Sequence, residues 1–341
     1  MKNHFIALTL LLTAGPLAAS LRAQETPTTD PNPNWFSIGP QFGLNISARF
    51  NHLGNVNPGM AGPDTGGGVN RAYDDGYVKV DSSGDAGGLT WNWGYQNAGQ
   101  FKNGSLVMQS SSAAVNGSVD KDDDLQTGFD MACGRRLGAL LGGHWGLQAA
   151  FDFTAYSTRT SQPLSGTGTI INDAYALNGV TPPPSPYSGS FSGSGALLGD
   201  SPTRTTASET ILVTGSRSVD AQVYALRLGP YFEFPFGRGW SGRLGGGLAL
   251  GVSDIKYTYN ETIDFSGVGT INESGSGEGA SFQAGGYLEG KLIYALTPCT
   301  SLFAGAQFES LGTFSQNAGN EQAQLDMSRS VFVLCGVQFN F

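Results

Sequence analysis

This sequence predicts an all-β fold, a transmembrane antiparallel up-and-down β-barrel of eight strands, with ten strands as the alternative. Three observations predict it. Apolar and polar residues alternate with period two over runs far longer than ordinary strands of about 5–6 residues. The connections between those runs alternate between short and long. The chain has 51 Gly and 20 Phe among 341 residues, yet only 13% charged residues. Gly is about twice its usual ~7% share, and charge about half its usual ~25%. So much Gly disfavours helices, and disordered chains carry few aromatics and much charge.

The chain opens with an export signal. Lys2 and His4 give a charged start, residues 5–12 are apolar, and Leu21-Arg22-Ala23 makes a cleavage site after Ala23. No Cys follows the apolar stretch, which argues against a lipid anchor. Residues 24–34 form a polar, Pro-rich periplasmic leader, and residues 35–341 form the barrel. No later run of 18 apolar residues exists, so no transmembrane helix is expected. Without Lys2 and Arg22, the mature chain has 16 basic and 27 acidic residues, a net charge of −11. That acidity excludes nucleic acid as a partner. Three Cys are too few for a disulfide framework.

The first strand runs from Phe36 through Ile38, Phe42, Leu44, Ile46 and Ala48 to Phe50, with Ser37, Gln41, Asn45 and Arg49 on the other face. Fourteen steps give ~46 Å, enough to cross a ~25 Å apolar band at a ~40° tilt. The second strand alternates Phe129, Met131 and Cys133 with Asp130. The third alternates Trp145, Leu147, Phe151 and Phe153 with Gln148 and Asp152. The fourth alternates Tyr224, Leu226, Leu228, Phe232 and Phe234 with Arg227, Tyr231 and Glu233. The fifth has Leu244, Leu248, Leu250 and Val252 against Arg243 and Gly residues. The sixth has Phe282, Leu288, Leu292 and Tyr294 against Tyr287, Glu289 and Lys291. The seventh has Leu302, Ala304, Ala306 and Phe308 against Gln307 and Glu309. Val331, Val333, Val337, Phe339 and Phe341 form the eighth.

Short connections fall near 138–143, 235–240 and 297–300, and long ones near 51–125, 158–216, 260–279 and 312–326. Aromatics form two belts: Trp35, Phe36, Trp145, Phe234, Phe236, Trp240, Phe339 and Phe341 near the short turns, and Phe50, Phe153, Tyr156, Tyr224, Tyr257, Tyr259, Phe282 and Phe308 near the long loops. Residues 89–95 and 106–110 are also strand-like but too short to span. They are expected to form a hairpin projecting from the first loop rather than strands nine and ten.

The terminal strand, ending on Phe341 with Phe339 two residues before, resembles the last strand of outer-membrane barrels. The mature chain as a whole resembles the OmpA-like family of small eight-stranded barrels. The resemblance implies residence in outer-membrane lipid, and delivery by the barrel-assembly machinery, which reads the aromatic end at Phe339 and Phe341. The first two loops are much longer than minimal members carry.

The inward parity collects the chain's scarce charge: Asp130, Arg136, Asp152, Arg227, Glu233, Arg243, Glu289, Lys291 and Glu309, with Arg49. An eight-stranded interior is just wide enough for side chains to fill. Charges there must pair, so a salt-bridged, largely plugged lumen is expected. Asp120, Asp122 and Asp124 share the one-three-five spacing of a calcium loop. The remaining ligand positions fail, since Leu125 stands where Gly is needed. No metal or cofactor is expected. His52 and His144 are the only mature-chain histidines, and neither shows a Ser-plus-acid partner in sequence. The expected function is non-enzymatic, structural or surface-interacting, with a surface glycan or protein as possible loop ligand. A passive porin-like channel is the alternative, and an outer-leaflet lipid-modifying enzyme the third.

Overall fold

The computed structural model of the protein describes residues 33–57, 59–115, 117–121, 125–266 and 269–341. The expected signal peptide and nearly all of the expected leader lie outside the described residues.

Eight long strands form a closed antiparallel ring. They are β1 (Asn34–Leu44), β2 (Gln126–Leu140), β3 (Gly143–Thr160), β4 (Thr203–Gly237), β5 (Trp240–Phe265), β6 (Gly269–Ala295), β7 (Thr300–Ser310) and β8 (Ser330–Asn340). Each pairs with the next, and β8 pairs back onto β1. Phe341 and Asn34 exchange both backbone hydrogen bonds at the seam, at 2.9 and 3.0 Å. The ring has eight strands, not ten. Two of the short turns are two-residue connections with positive φ at both positions, Leu141-Gly142 and Arg238-Gly239. This is the type I′ geometry whose twist suits a hairpin.

Around the ring, alternate residues point out and are exposed although apolar: Leu226, Leu228, Leu244, Leu248, Phe282, Leu288, Leu302 and Phe308 among them. So continuous a girdle requires an apolar surrounding phase. On β4 it covers residues 224–236 and on β6 residues 282–294, about twelve steps, or ~30 Å of height at a ~40° tilt.

Above the girdle the polarity inverts. On β5, Val252 is the last exposed apolar residue. Beyond it Asp254, Lys256 and Asn260 point out, while Ile255, Tyr257, Tyr259, Ile263 and Phe265 point in and are buried. The same switch occurs on β4, where Gln222 and Asp220 point out over buried Val223, Ala221 and Val219. Strands β3 to β6 therefore leave the membrane uninterrupted. Water replaces lipid outside them, so the apolar side must turn inward.

The other four strands break at this level and resume as a second sheet. Asn45, in the left-handed region at φ 59, separates β1 from strand Ser47–Asn51. Gly312, at φ 82, separates β7 from strand Thr313–Ala318. Strand Glu321–Asp326 precedes β8, and Val119–Lys121 precedes β2. These four pair in the order in which their continuations pair in the ring below. This sheet packs on the β3–β6 wall. Ile46, Ala48, Phe50, Val119, Phe314, Ala323 and Leu325 share one buried cluster with Tyr156, Val219, Val223, Ile255 and Tyr257. The barrel becomes a two-layer sandwich outside the membrane.

A head continues beyond the sandwich. Residues of β4 past the end of β5 pair with strand Leu164–Ala176, which pairs with Ser105–Ala114. A small sheet of Arg71–Tyr73, Gly76–Val78, Trp93–Tyr95 and Tyr187–Ser188 packs beside them. Its core contains Tyr73, Val78, Trp93, Tyr95, Leu106, Met108 and Tyr175. Arg71, 1% exposed, donates to the carbonyls of Pro63, Thr65, Gly66 and Asp200 and so ties down the Gly-rich turn.

Several expectations are corrected. Residues 89–95 and 106–110 lie outside the ring but form no hairpin with each other. The first pairs with 76–78, 187–188 and 198–199, and the second with 164–176. Residues 260–279 are mostly strand rather than loop. Their Gly run permits close approach, since a Cβ on Gly275 would meet the Tyr259 ring at 2.5 Å and one on Gly277 the Asn317 carbonyl at 1.9 Å. Phe50, Tyr156, Tyr257 and Tyr259 are buried in the sandwich rather than set in a belt, and Trp35 is buried in the lumen. Arg49 lies outside the lumen, on the second sheet, where it donates to Asp120 at 2.6 Å.

Candidate functional site

Period-two parity brings the inward charges of five strands to one level of the lumen. Arg227, fully buried, sits at the centre. Its Nε donates to Asp152 at 2.8 Å, its Nη1 to Glu289 at 3.1 Å, and its Nη2 to Asp130, while Glu309 lies 3.9 Å away. Asp130 and Asp152 face each other across β2 and β3, so their like charges need the cation between them. Lys291 adds a second cation, 3.3 Å from Glu289 and 3.7 Å from Asp130. Gln148 donates to Glu289 at 2.7 Å and to the Tyr287 hydroxyl at 3.1 Å.

A second cluster lies nearer the short turns. Arg243 donates to Glu233 at 2.7 and 3.1 Å, and Arg136 to the same carboxylate at 3.3 Å. The Arg243 guanidinium lies 3.8 Å from the Trp35 ring centroid and 5.0 Å from that of Tyr231. Trp35 Nε1 donates to the Tyr231 hydroxyl at 3.0 Å. Stacked guanidinium and indole fill the bore as well as pairing charge. All nine lumen residues read from the sequence thus fall in these two clusters. Trp35, Gln148, Tyr231 and Tyr287 complete them, and the same inward parity marks all four.

A third cluster, in the sandwich, had no signal in the sequence because part of it lies in stretches read as loop. Arg217 pairs with Glu261, whose other oxygen accepts the Gly54 amide at 3.1 Å. Tyr257 donates to Glu321, which has Glu261 as a close neighbour. Burial, together with the neighbouring Glu261 carboxylate, raises Glu321 above the ordinary glutamate range.

This cluster lies under two hollows that share Asn55. The smaller, about 160 Å³, has Glu321, Tyr259, Glu273, Asn57 and Asn320 among its walls. The wider, about 520 Å³, is lined by Asn51, His52, Ser118, Gln322 and Gln324 among others. Asp120 is exposed and paired with Arg49, while Asp122, Asp123 and Asp124 lie outside the described residues. No group of three His, Cys, Asp or Glu able to hold a metal occurs among the described residues. His144 stands at the start of β3, at the short-turn end.

A closed ring of eight antiparallel strands, apolar outside and charged within, defines the class: a transmembrane β-barrel of the outer-membrane type. No protein-family model and no curated sequence matches the chain. Among solved structures it is similar to the attachment invasion locus protein Ail of Yersinia pestis, solved with the heparin analogue sucrose octasulfate. Identity is 10%, with 90% of this chain and 99% of that one covered, at a TM-score of 0.29. It is also similar to the outer membrane protein OprG of Pseudomonas aeruginosa (9% identity, 89% and 96% covered, TM-score 0.31). A third likeness is to the outer membrane protease OmpT of Escherichia coli (10% identity, 93% and 99% covered, TM-score 0.27). None of these likenesses bears on function.

Proposed function

We propose that the protein is a non-enzymatic outer-membrane barrel that serves as a sealed anchor for a folded extracellular head, with surface interaction as its role. The observation that carries this is the double closure of the bore. The Arg227 and Arg243 clusters fill it within the membrane. Above them the apolar core between the two sheets closes the outer mouth. A solute path would have to breach both. Outer-membrane lipid surrounds the girdle, and the exposed aromatic end at Phe339 and Phe341 serves recognition by the assembly machinery. The head is cored and internally hydrogen-bonded rather than a loose coat, which suits presentation of a defined surface.

Planar-bilayer recording of the purified, folded protein tests this reading. Baseline current with only rare, brief events is expected. Large, stable conductance steps would overturn it and favour a passive channel. The lipid-modifying alternative predicts that His52→Ala abolishes a lipid modification measured on intact cells. On the present reading, no such change occurs.

A further inference from the structure

We infer that the hollow beside Asn55 is a binding site for a neutral, hydroxyl-rich ligand, a terminal sugar ring of an uncharged glycan. This rests on the surface-interaction reading and names a site and ligand class for it.

Carboxamides surround the site. Asn57 and Asn320 are exposed on its rim, Asn55 divides it from the wider hollow, and Gln322 and Gln324 line that second space. A carboxamide offers a donor pair and an acceptor in one plane, which suits the mixed donors and acceptors of vicinal hydroxyls. Among the described residues, no protein group is bonded to the side chains of Asn57 or Asn320, so both are free for a ligand. Asn55 is held in place by accepting the Val115 amide at 3.2 Å.

The floor suits a sugar as well. Tyr259, packed against Gly275 and stacked on Tyr257, is buried and forms part of the rigid wall of the smaller hollow. Glu321, buried and bonded to Tyr257, is fixed in position, and Glu273 stands half-buried on β6. The Glu273 carboxylate accepts hydrogen bonds from hydroxyls and repels sulfates and uronates. No Lys or Arg lines either hollow, and His52 of the wider one is the single imidazole among the lining residues, so an anionic glycan would find no permanent cation. The smaller space, about 160 Å³, holds one compact ring, and the wider one leaves room for following units.

The test uses the full-length protein, folded in a detergent without a sugar headgroup. Maltotriose, cellotriose, chitotriose and a heparin-derived hexasaccharide are titrated by saturation-transfer NMR and calorimetry. Saturable binding of at least one neutral trisaccharide is expected, with Kd on the order of 1 mM or tighter, and none of the heparin fragment. Asn57→Ala with Asn320→Ala, both exposed and unbonded, is expected to weaken it about tenfold. Phe191→Ser, on the exposed far part of the head, is expected to leave it unchanged. Absence of saturable binding by all three neutral probes, preference for the heparin fragment, or binding indifferent to the Asn pair would overturn the site. Such a failure with a non-conducting barrel removes this site alone. A conducting barrel removes the underlying reading.

Discussion

Replacing Arg227 with Met keeps much of the side-chain bulk and removes the cation that three acids contact directly. Asp130, Asp152 and Glu289 lose charge-assisted bonds, and Glu309 loses its neighbour at 3.9 Å. Lys291 remains but reaches only Asp130 and Glu289. Breaking a buried ion pair by removing one partner costs about 3–5 kcal/mol, because the other charge is stranded. Here Asp152 is the stranded group, facing Asp130 across the strand pair. The expected loss is therefore about 3–5 kcal/mol in urea unfolding of the detergent-folded protein. Adding Asp152→Asn to Arg227→Met should recover part of it, and the cycle of single and double variants gives the coupling. Arg227→Lys should fall between, since one ammonium cannot match a fork reaching three carboxylates. If Arg227→Met is within about 1 kcal/mol of the parent at neutral pH, the hub is not what holds the lumen charges, because that is the range of an exposed pair.

Phe50→Ala empties a fully buried site between the two sheets. It should cost about 3–5 kcal/mol and expose the head to limited proteolysis, while leaving conductance low because the lumen clusters are intact. Glu321, raised by burial and by its partner Glu261, makes folding pH-dependent. Its stabilising contribution is fully present below about pH 4.5, the ordinary glutamate value, and is lost as pH rises through its elevated folded value. Glu321→Gln should flatten that decline by about one proton in a pH series of unfolding midpoints. Arg71→Ala should leave the buried Asp200 carbonyl unpaired and free those of the exposed Pro63, Thr65 and Gly66, destabilising the Gly-rich turn of the head by about 1 kcal/mol. Faster amide exchange at residues 62–71 checks this.

The barrel was legible because lipid on one face and a charged bore on the other write the same alternation into every spanning strand. The nine lumen charges follow from parity alone. What lies above the membrane was not legible, for a physical reason. At Val252 and Ser253 the solvent changes while the period does not, so Tyr257 and Tyr259 looked like a belt when they are core. The Gly and Ser run of β6 imitates a loop because the residues it packs against, Tyr259 and Asn317, are distant in sequence. The pairing of 93–95 with 187–188 spans about ninety residues, and no local pattern announces it. The cluster of Arg217, Glu261 and Glu321 was hidden for the same reason.

The unequal crossing of the membrane surface has a mechanical consequence. Strands β3 to β6 pass it unbroken, while β1 breaks at Asn45, β7 at Gly312, and β8 is separated from the strand before it. The head is thus cantilevered from one wall. A pull on it loads the long hydrogen-bond ladders of β4 and β5 along their length, so that many bonds share the force at once. The opposite side is tied to that wall chiefly through the shared apolar core, so it carries less of the load. An anchor built this way resists tearing out.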